Sequence, residues 1–341
     1  MKQKKGTFAD IAAYTGFSKT TISRYFNNPD SLTLENQEKI AHALDILGYQ
    51  ENKLAKVLAN GKSEFVGIII PNLYLHYYSE MLNQLLSTYE KYNYKFLVFI
   101  GNNKKEIEEK YIHELMAYKI EGLIVLSNTI SSEELASYKL PVVTIERECD
   151  HVCSVSTDNY LGGVQATSLL IRNKCDVILH INSIFPDTLP TYGRIRGFED
   201  ICNEHHVVHE LIQRNLGNTY QETLTQLKNI FNEIEEKYPS QKKGVFLAND
   251  TYASMFLNLI FQKYGKLPKD YQIVGFDDSP IASEAILPIT TVGQQIEKIA
   301  QTAMELLVLQ MNEMKKRKPA PLKEPVHKQI TPVLIRRNTT D

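Results

Sequence analysis

From Glu64 onward the sequence alternates between short apolar runs and longer amphipathic stretches, and this alternation limits the fold more than any other feature of the chain. Residues 65–71, 94–100, 122–126 and 141–145 are apolar segments flanked by turn residues, the pattern of strands buried on both faces. Between them, helical spacing covers residues near 77–91, 104–118 and 132–138. Strands that alternate with helices are joined by crossovers and build a parallel, doubly wound sheet. The alternation then repeats, with helices near 162–173, 195–205, 220–237 and 251–264 and apolar runs at 177–181, 244–248 and 271–276. Residues 289–292 cross back. Two similar lobes with crossing segments near 161–164, 290–294 and 322–326 describe a clamshell. Residues 295–314 are then a helix of the first lobe, and 326–337 a closing strand segment of the second.

The first 62 residues follow another rule. Apolar residues at Phe8, Ile11, Ala12, Phe17, Ile22, Tyr25 and Phe26 mark two short amphipathic helices meeting at Gly16. Ala12 is small where two helix axes cross closely, Gly16 allows the positive φ of a tight turn, and Ser18 is a good N-cap. This is helix-turn-helix spacing, in which the second helix lies in the major groove of DNA. Its outward residues Lys19, Thr20, Ser23 and Arg24 are candidates for phosphate and base-edge contacts, with Phe17, Ile22 and Phe26 on the buried side. An ordinary helical hairpin with Lys19 and Arg24 on a solvated face is the alternative. Charge favours the first reading. Residues 1–62 carry eight lysines and one arginine against six carboxylates, a surplus of three, within a chain of net charge −2.

A third amphipathic helix follows over residues 33–48, with Thr33 as its cap and Gly48 as its stop. Then comes Tyr49-Gln-Glu-Asn-Lys-Leu-Ala-Lys-Val-Leu-Ala-Asn-Gly61. Here the chain strongly resembles the lactose/galactose repressor family, through Asp10-Ile11-Ala12, Gly16-Phe17-Ser18, Thr21-Ile22-Ser23-Arg24, Asn27, Leu47-Gly48-Tyr49, Asn52, Ala55-Lys56, Leu58 and Gly61. The C-terminal part keeps further landmarks of that family: Asp158-Asn159, Arg194-Ile-Arg-Gly-Phe198, Ala248-Asn-Asp250, Val274-Gly-Phe-Asp277, Thr290-Thr-Val292 with Gln294, and Leu334-Ile-Arg336. The resemblance implies a helix-turn-helix domain over 1–51, a hinge helix and linker over 52–63, and an effector-binding and dimerisation domain over 64–341. That last domain is expected to be a periplasmic-binding-protein-like clamshell of doubly wound parallel sheets, with lobe 1 at about 64–162 and 293–323 and lobe 2 at about 163–292 and 324–341. The DNA-contacting set is then Thr7, Ser18, Lys19, Thr20, Thr21, Ser23, Arg24, Asn27, Asn52, Lys53, Ala55, Lys56 and Leu58. Residues 52–59 are too few to hold a helix alone in water, which favours a plain linker. The resemblance implies instead a helix that orders on operator DNA, pairs with its symmetry mate in the minor groove, and drives Leu58 between base pairs.

In open α/β sheets ligands gather at the carboxyl ends of strands, which points to residues 72–78, Asp158, Arg194, Asn249-Asp250 and Asp277-Asp278. The resemblance implies that Asp158, Arg194, Asp250 and Gln294 sit in the effector pocket. Arginine offers a planar donor fork and carboxylates accept pairs of hydroxyls, which suits a sugar or a sugar derivative. The loop Asn72-Leu-Tyr-Leu-His-Tyr-Tyr78 departs from the family, with His76 where a proline is common. His76 itself reads as a solvated loop residue. The chain contains no tryptophan, so an aromatic platform for a sugar falls to Tyr77, Tyr78 or Tyr192. Asp277 and Asp278, adjacent on an extended segment, point to opposite faces and do not form a cooperating carboxylate pair.

Other classes are poorly served. There is no G-x-S-x-G, no phosphate-cradling G-x-x-x-x-G-K-[ST], no H-E-x-x-H and no clustered Cys/His set, so neither an enzyme, a cofactor nor a metal is expected. Cys149, Cys153, Cys175 and Cys202 are irregularly spaced and read as reduced packing residues. The basic N-terminus has no apolar run after it and no membrane-length apolar stretch occurs, which predicts a cytoplasmic protein. Lys315-Lys-Arg-Lys318, beside two prolines, reads as a solvated loop. The expected protein is a homodimeric regulator of transcription, most simply a repressor of a carbohydrate operon that binds palindromic operator DNA and answers to a sugar-like effector. Two other readings stay open. One is a regulator of this type controlled by a phosphorylated carrier protein docking on the first lobe. The other is a solute-binding protein, which needs an export signal and leaves residues 1–62 without a role.

Overall fold

In the computed structural model, which describes residues 6–49, 63–147, 150–316 and 324–341, the chain divides between Ser63 and Glu64 into two units. The N-terminal unit holds α1 (Phe8–Thr15), α2 (Lys19–Asn27), a 3-10 turn (Pro29–Ser31) and α3 (Leu34–Ile46). Side chains set their limits. Thr7 and Asp10 form a reciprocal capping box at the start of α1, Ser18 Oγ accepts from the Thr21 amide at 3.1 Å to start α2, and Thr33 caps α3. Gly16, at φ 74°, ends α1 in the left-handed conformation. Past α3, Gly48 N–H donates to Asp45 O at 3.2 Å and Tyr49 N–H to Leu44 O at 3.0 Å, a Schellman ending. Ile11, Ile22 and Ile40 are fully buried where the three helices meet, each contributing about 1.5–3 kcal/mol of apolar burial. Phe8 and Phe26 stack at 5.5 Å beside them.

The second unit is built on two six-stranded sheets. The first contains β1 (Phe65–Ile70), β2 (Lys95–Ile100), β3 (Gly122–Val125), β4 (Val142–Ile145), β5 (Cys153–Thr157) and β11 (His327–Ile330), ordered β11-β5-β4-β3-β1-β2 and parallel throughout. The second contains β6 (Val177–Ser183), β7 (His209–Arg214), β8 (Lys243–Leu247), β9 (Tyr271–Asp277), β10 (Thr290–Gly293) and β12 (Val333–Ile335), ordered β12-β10-β9-β8-β6-β7, with only β12 antiparallel. The connecting helices are α4 (His76–Ser87), α5 (Tyr89–Tyr92), α6 (Lys105–Ala117), α7 (Ser132–Ser137), α8 (Asn159–Arg172), α9 (Gly193–Glu204), α10 (Tyr220–Lys237), α11 (Asp250–Tyr264), α12 (Pro280–Glu284) and α13 (Ile296–Met314). Among the described residues no helix is long and apolar enough to cross a membrane.

The chain passes between lobes after β5, after β10, and between β11 and β12. One expectation is corrected here. Residues 326–337 do not all close the second lobe: His327–Ile330 extends the first sheet beside β5, and only Val333–Ile335 joins the second. Pro332, which has no amide to donate, lies where the ladder breaks. The crossing therefore falls at 331–332 rather than 322–326. Cys153, Cys175 and Cys202 are buried in the lobe cores, and Cys149 lies outside the described residues.

Candidate functional site

On the N-terminal unit, Lys19, Thr20, Arg24 and Asn27 are exposed along α2, at the i, i+1, i+5 and i+8 spacing of one helix stripe. Asn27 Nδ2 donates to Ser23 O at 3.0 Å and to Ser23 Oγ at 3.2 Å, which ties the end of that stripe together. Among the described residues no ion pair engages Lys19 or Arg24, so both cations are available to phosphate. Thr7, Ser18 and Thr21 are committed locally: the first two cap helices, and Thr21 Oγ1 lies 2.9 Å from Ser18 Oγ. The hinge set Asn52, Lys53, Ala55, Lys56 and Leu58 lies outside the described residues.

In the second unit, the carboxyl ends of both sheets face one another across a cavity of about 100 Å³. The first lobe contributes Leu75, Tyr77 and Tyr78 from the start of α4, Leu126 and Asn128 after β3, and Glu146 after β4. The second contributes Thr191 and Arg194 around the start of α9, Asn249 after β8 and Asp277 at the end of β9, with Gln294 in the crossover. A wider chamber of about 280 Å³ opens on the far side of Asp277, past Glu80, Asp278 and Arg337.

A continuous polar network crosses the cavity floor. Glu146 Oε1 accepts from Thr157 N–H at 2.7 Å and Thr157 Oγ1 at 2.8 Å, and its Oε2 accepts from Asn159 Nδ2 at 2.9 Å. Arg194 Nε donates to Asn159 Oδ1 at 2.7 Å and a terminal nitrogen to Ala248 O at 2.6 Å, while the guanidinium lies 3.6 Å above the Phe276 ring. Gln294 Nε2 donates to Asp277 Oδ1 at 2.5 Å. Burial pushes the Asp277 carboxyl up to about 7, opposed by the Arg194 charge and the Gln294 bond, with Glu146 pushing upward. Burial also raises both tyrosine hydroxyls. Tyr77 is 8 % exposed and its hydroxyl has no hydrogen-bond partner among the described residues. A buried hydroxyl left that way costs free energy that a bound donor or acceptor would offset.

Four expected cavity residues, Tyr77, Tyr78, Arg194 and Gln294, are brought together. Two are not. Asp158 caps α8, accepting from Leu161 N–H at 3.0 Å, and faces a different pocket with Asp187 and Arg196. Asp250 is fully buried behind the cavity wall, where its carboxyl accepts from Ser279 N–H at 2.9 Å and Thr291 Oγ1 at 2.6 Å. Tyr192 packs edge-on against Phe185, outside the cavity. His76 is half-buried rather than fully solvated. Its amide and ring Nδ1 each lie 3.0 Å from Thr251 Oγ1 in the opposite lobe, and burial lowers the ring pKa. Asp278 accepts from Arg337 at 2.6 Å, while Asp277 accepts from Gln294.

Both units of the chain are similar to known proteins. Residues 7–52 match the family described as bacterial regulatory proteins, lacI family, and residues 168–340 match the periplasmic binding protein-like domain. The sucrose operon repressor of Streptococcus mutans is 26% identical over 88% of this chain and 91% of its own length. The ribose operon repressor of Halalkalibacterium halodurans is 24% identical over 89% of this chain and 90% of its own. Among solved structures, the lac repressor dimer bound to operator and the anti-inducer ONPF superposes with a TM-score of 0.81 at 20% identity, covering 99% of each chain.

Proposed function

The chain belongs to the lacI family of bacterial regulatory proteins and is a DNA-binding regulator of transcription, and from that premise we propose that its effector is an uncharged sugar of about monosaccharide size. The protein acts in the cytoplasm as a homodimer on a palindromic operator and represses genes for uptake or breakdown of a carbohydrate. Relatives named for sucrose and ribose operons support the carbohydrate assignment.

The observation that carries the effector reading is the cavity's charge balance. Glu146 and Asp277 face a single guanidinium, Arg194, which is already bonded to Asn159 and Ala248. An anionic ligand would meet two carboxyl groups against one cation. A polyol donates to the carboxyls, accepts from Arg194, Asn128 and Asn249, and supplies a partner for the Tyr77 hydroxyl. The inner cavity suits one ring.

Thermal-shift and calorimetric titration of the full chain with D-ribose, D-xylose, D-glucose, D-fructose and sucrose, against D-gluconate and glucose 6-phosphate, tests this. A neutral monosaccharide should raise the melting temperature by mass action. Preferential binding of gluconate or the sugar phosphate would overturn the charge argument. Silence from every probe would transfer control to a phosphorylated carrier-protein partner.

A further inference from the structure

The loop after β3 carries Asn128 to the cavity, and two buried side chains that do not line that cavity hold it on both sides. Glu108, on α6, is fully buried, and its Oε2 accepts from Ser127 Oγ at 2.6 Å and from Thr129 Oγ1. Arg147, buried and next in sequence to the cavity residue Glu146, donates Nη1 to Ser127 O at 3.0 Å and Nη2 to Ile130 O. These four bonds bracket Asn128.

Packing alone does not explain such residues. Burying a carboxyl group is costly, and Glu108 Oε1 has no hydrogen-bond partner among the described residues, so an apolar side chain of that size would fill the space at less cost. The neighbouring strand is adapted to the arrangement: a Cβ at Gly101, directly after β2, would collide with the Glu108 carboxyl group. Arg147 adds a second link, because its backbone continues Glu146 while its side chain grips the Asn128 loop.

We propose that Glu108 and Arg147 are positioning residues of the effector cavity: they fix residues 127–130 so that Asn128 reaches the ligand, and Arg147 sets that arm against the Glu146 arm. The proposal rests on the cavity being the effector site.

A double-mutant cycle on the full chain tests it, with D-ribose, D-xylose, D-glucose and D-fructose as calorimetric probes and melting temperature as a separate readout. Glu108→Ala should weaken sugar binding about tenfold, Asn128→Ala by a similar factor, and the pair no more than either alone. Glu108→Gln keeps the size and one acceptor oxygen and should recover most of the affinity. Losses that multiply, or a lowered melting temperature with intact affinity, would reduce Glu108 to a packing residue and overturn the proposal. A ligand-free arm covers the remaining case. Amide hydrogen exchange at 127–130 should rise in Glu108→Ala and Arg147→Lys relative to β3 and α6, and uniform or unchanged exchange overturns the clamp. A wild-type chain that binds none of the probes sinks the sugar reading of the cavity, while the exchange result still decides the clamp on its own.

Discussion

Asp277 is the residue on which the electrostatics of the cavity turn. An unfolded aspartate titrates near about 3.9, whereas burial pushes Asp277 up to about 7 in the fold. Between those values the native chain holds a proton that the unfolded chain has lost, so stability falls as pH rises across the window. Asp250, raised by its own burial and then by Asp277, slopes the same way. Asp277→Asn should therefore flatten, without abolishing, the fall in melting temperature from about pH 5 to about pH 7; a profile parallel to that of the wild type would show that Asp277 does not titrate there. Which residues reach the cavity was partly legible in sequence. Arg194, Gln294, Tyr77 and Tyr78 follow from residue chemistry and family position. Asp158 and Asp250 fall outside the cavity because both lie at helix starts, where successive side chains turn through about a hundred degrees. At α8 the aspartate caps and Asn159 turns inward; at α11 Asn249 caps and lines the cavity while Asp250 turns to Ser279 and Thr291. Glu146 stands directly after the 141–145 run, so the strand-end rule applied to that run would have found it.

At the scale of elements, the cavity depends on how closely α8 and α9 approach. A Cβ at Gly163 would strike Arg194 O, and one at Gly197 would strike Tyr160 O, so each helix presents a glycine where the other's backbone passes. That contact aims Arg194 and Asn159 at each other. Gly197→Ala should push the helices apart, costing about 1–3 kcal/mol of stability as overpacking does, and should weaken sugar binding more than any surface change of equal stability cost. Calorimetry beside thermal melts would check this, and full sugar affinity in a destabilised Gly197→Ala chain would mean that the crossing does not position the site. Two strands escaped the sequence pattern for different reasons. Cys153–Thr157 is an interior strand, buried, yet carries two serines and a threonine, whereas His209–Arg214 is a half-buried edge strand with polar residues. An edge strand is held by its ladder on one side and does not need apolar side chains on both faces. The other interior strands and the long amphipathic helices carry apolar residues where they pack, and these were legible to within a few residues.

For the whole molecule, function requires that the cavity and the DNA-binding unit influence each other. A two-lobed domain can do so if the sugar binds one arrangement of the lobes better than the other. In this structure the two lobes are linked beside the cavity by Thr251, whose hydroxyl meets both the amide and the ring of His76. Thr251→Val keeps the shape and removes those bonds, which should disfavour closure by about 1–3 kcal/mol and lower sugar affinity accordingly. Linkage then makes a stricter demand. If the sugar changes operator affinity by some factor, operator DNA must change sugar affinity by the same factor, because both report one coupling free energy. Titrating the identified sugar with and without operator, and operator with and without sugar, gives two independent values of that factor. Thr251→Val should shift both sugar titrations, and the two factors should remain equal to each other in the variant as in the wild type. Identical sugar affinities with and without operator would end the allosteric reading, even for a cavity that binds its sugar tightly.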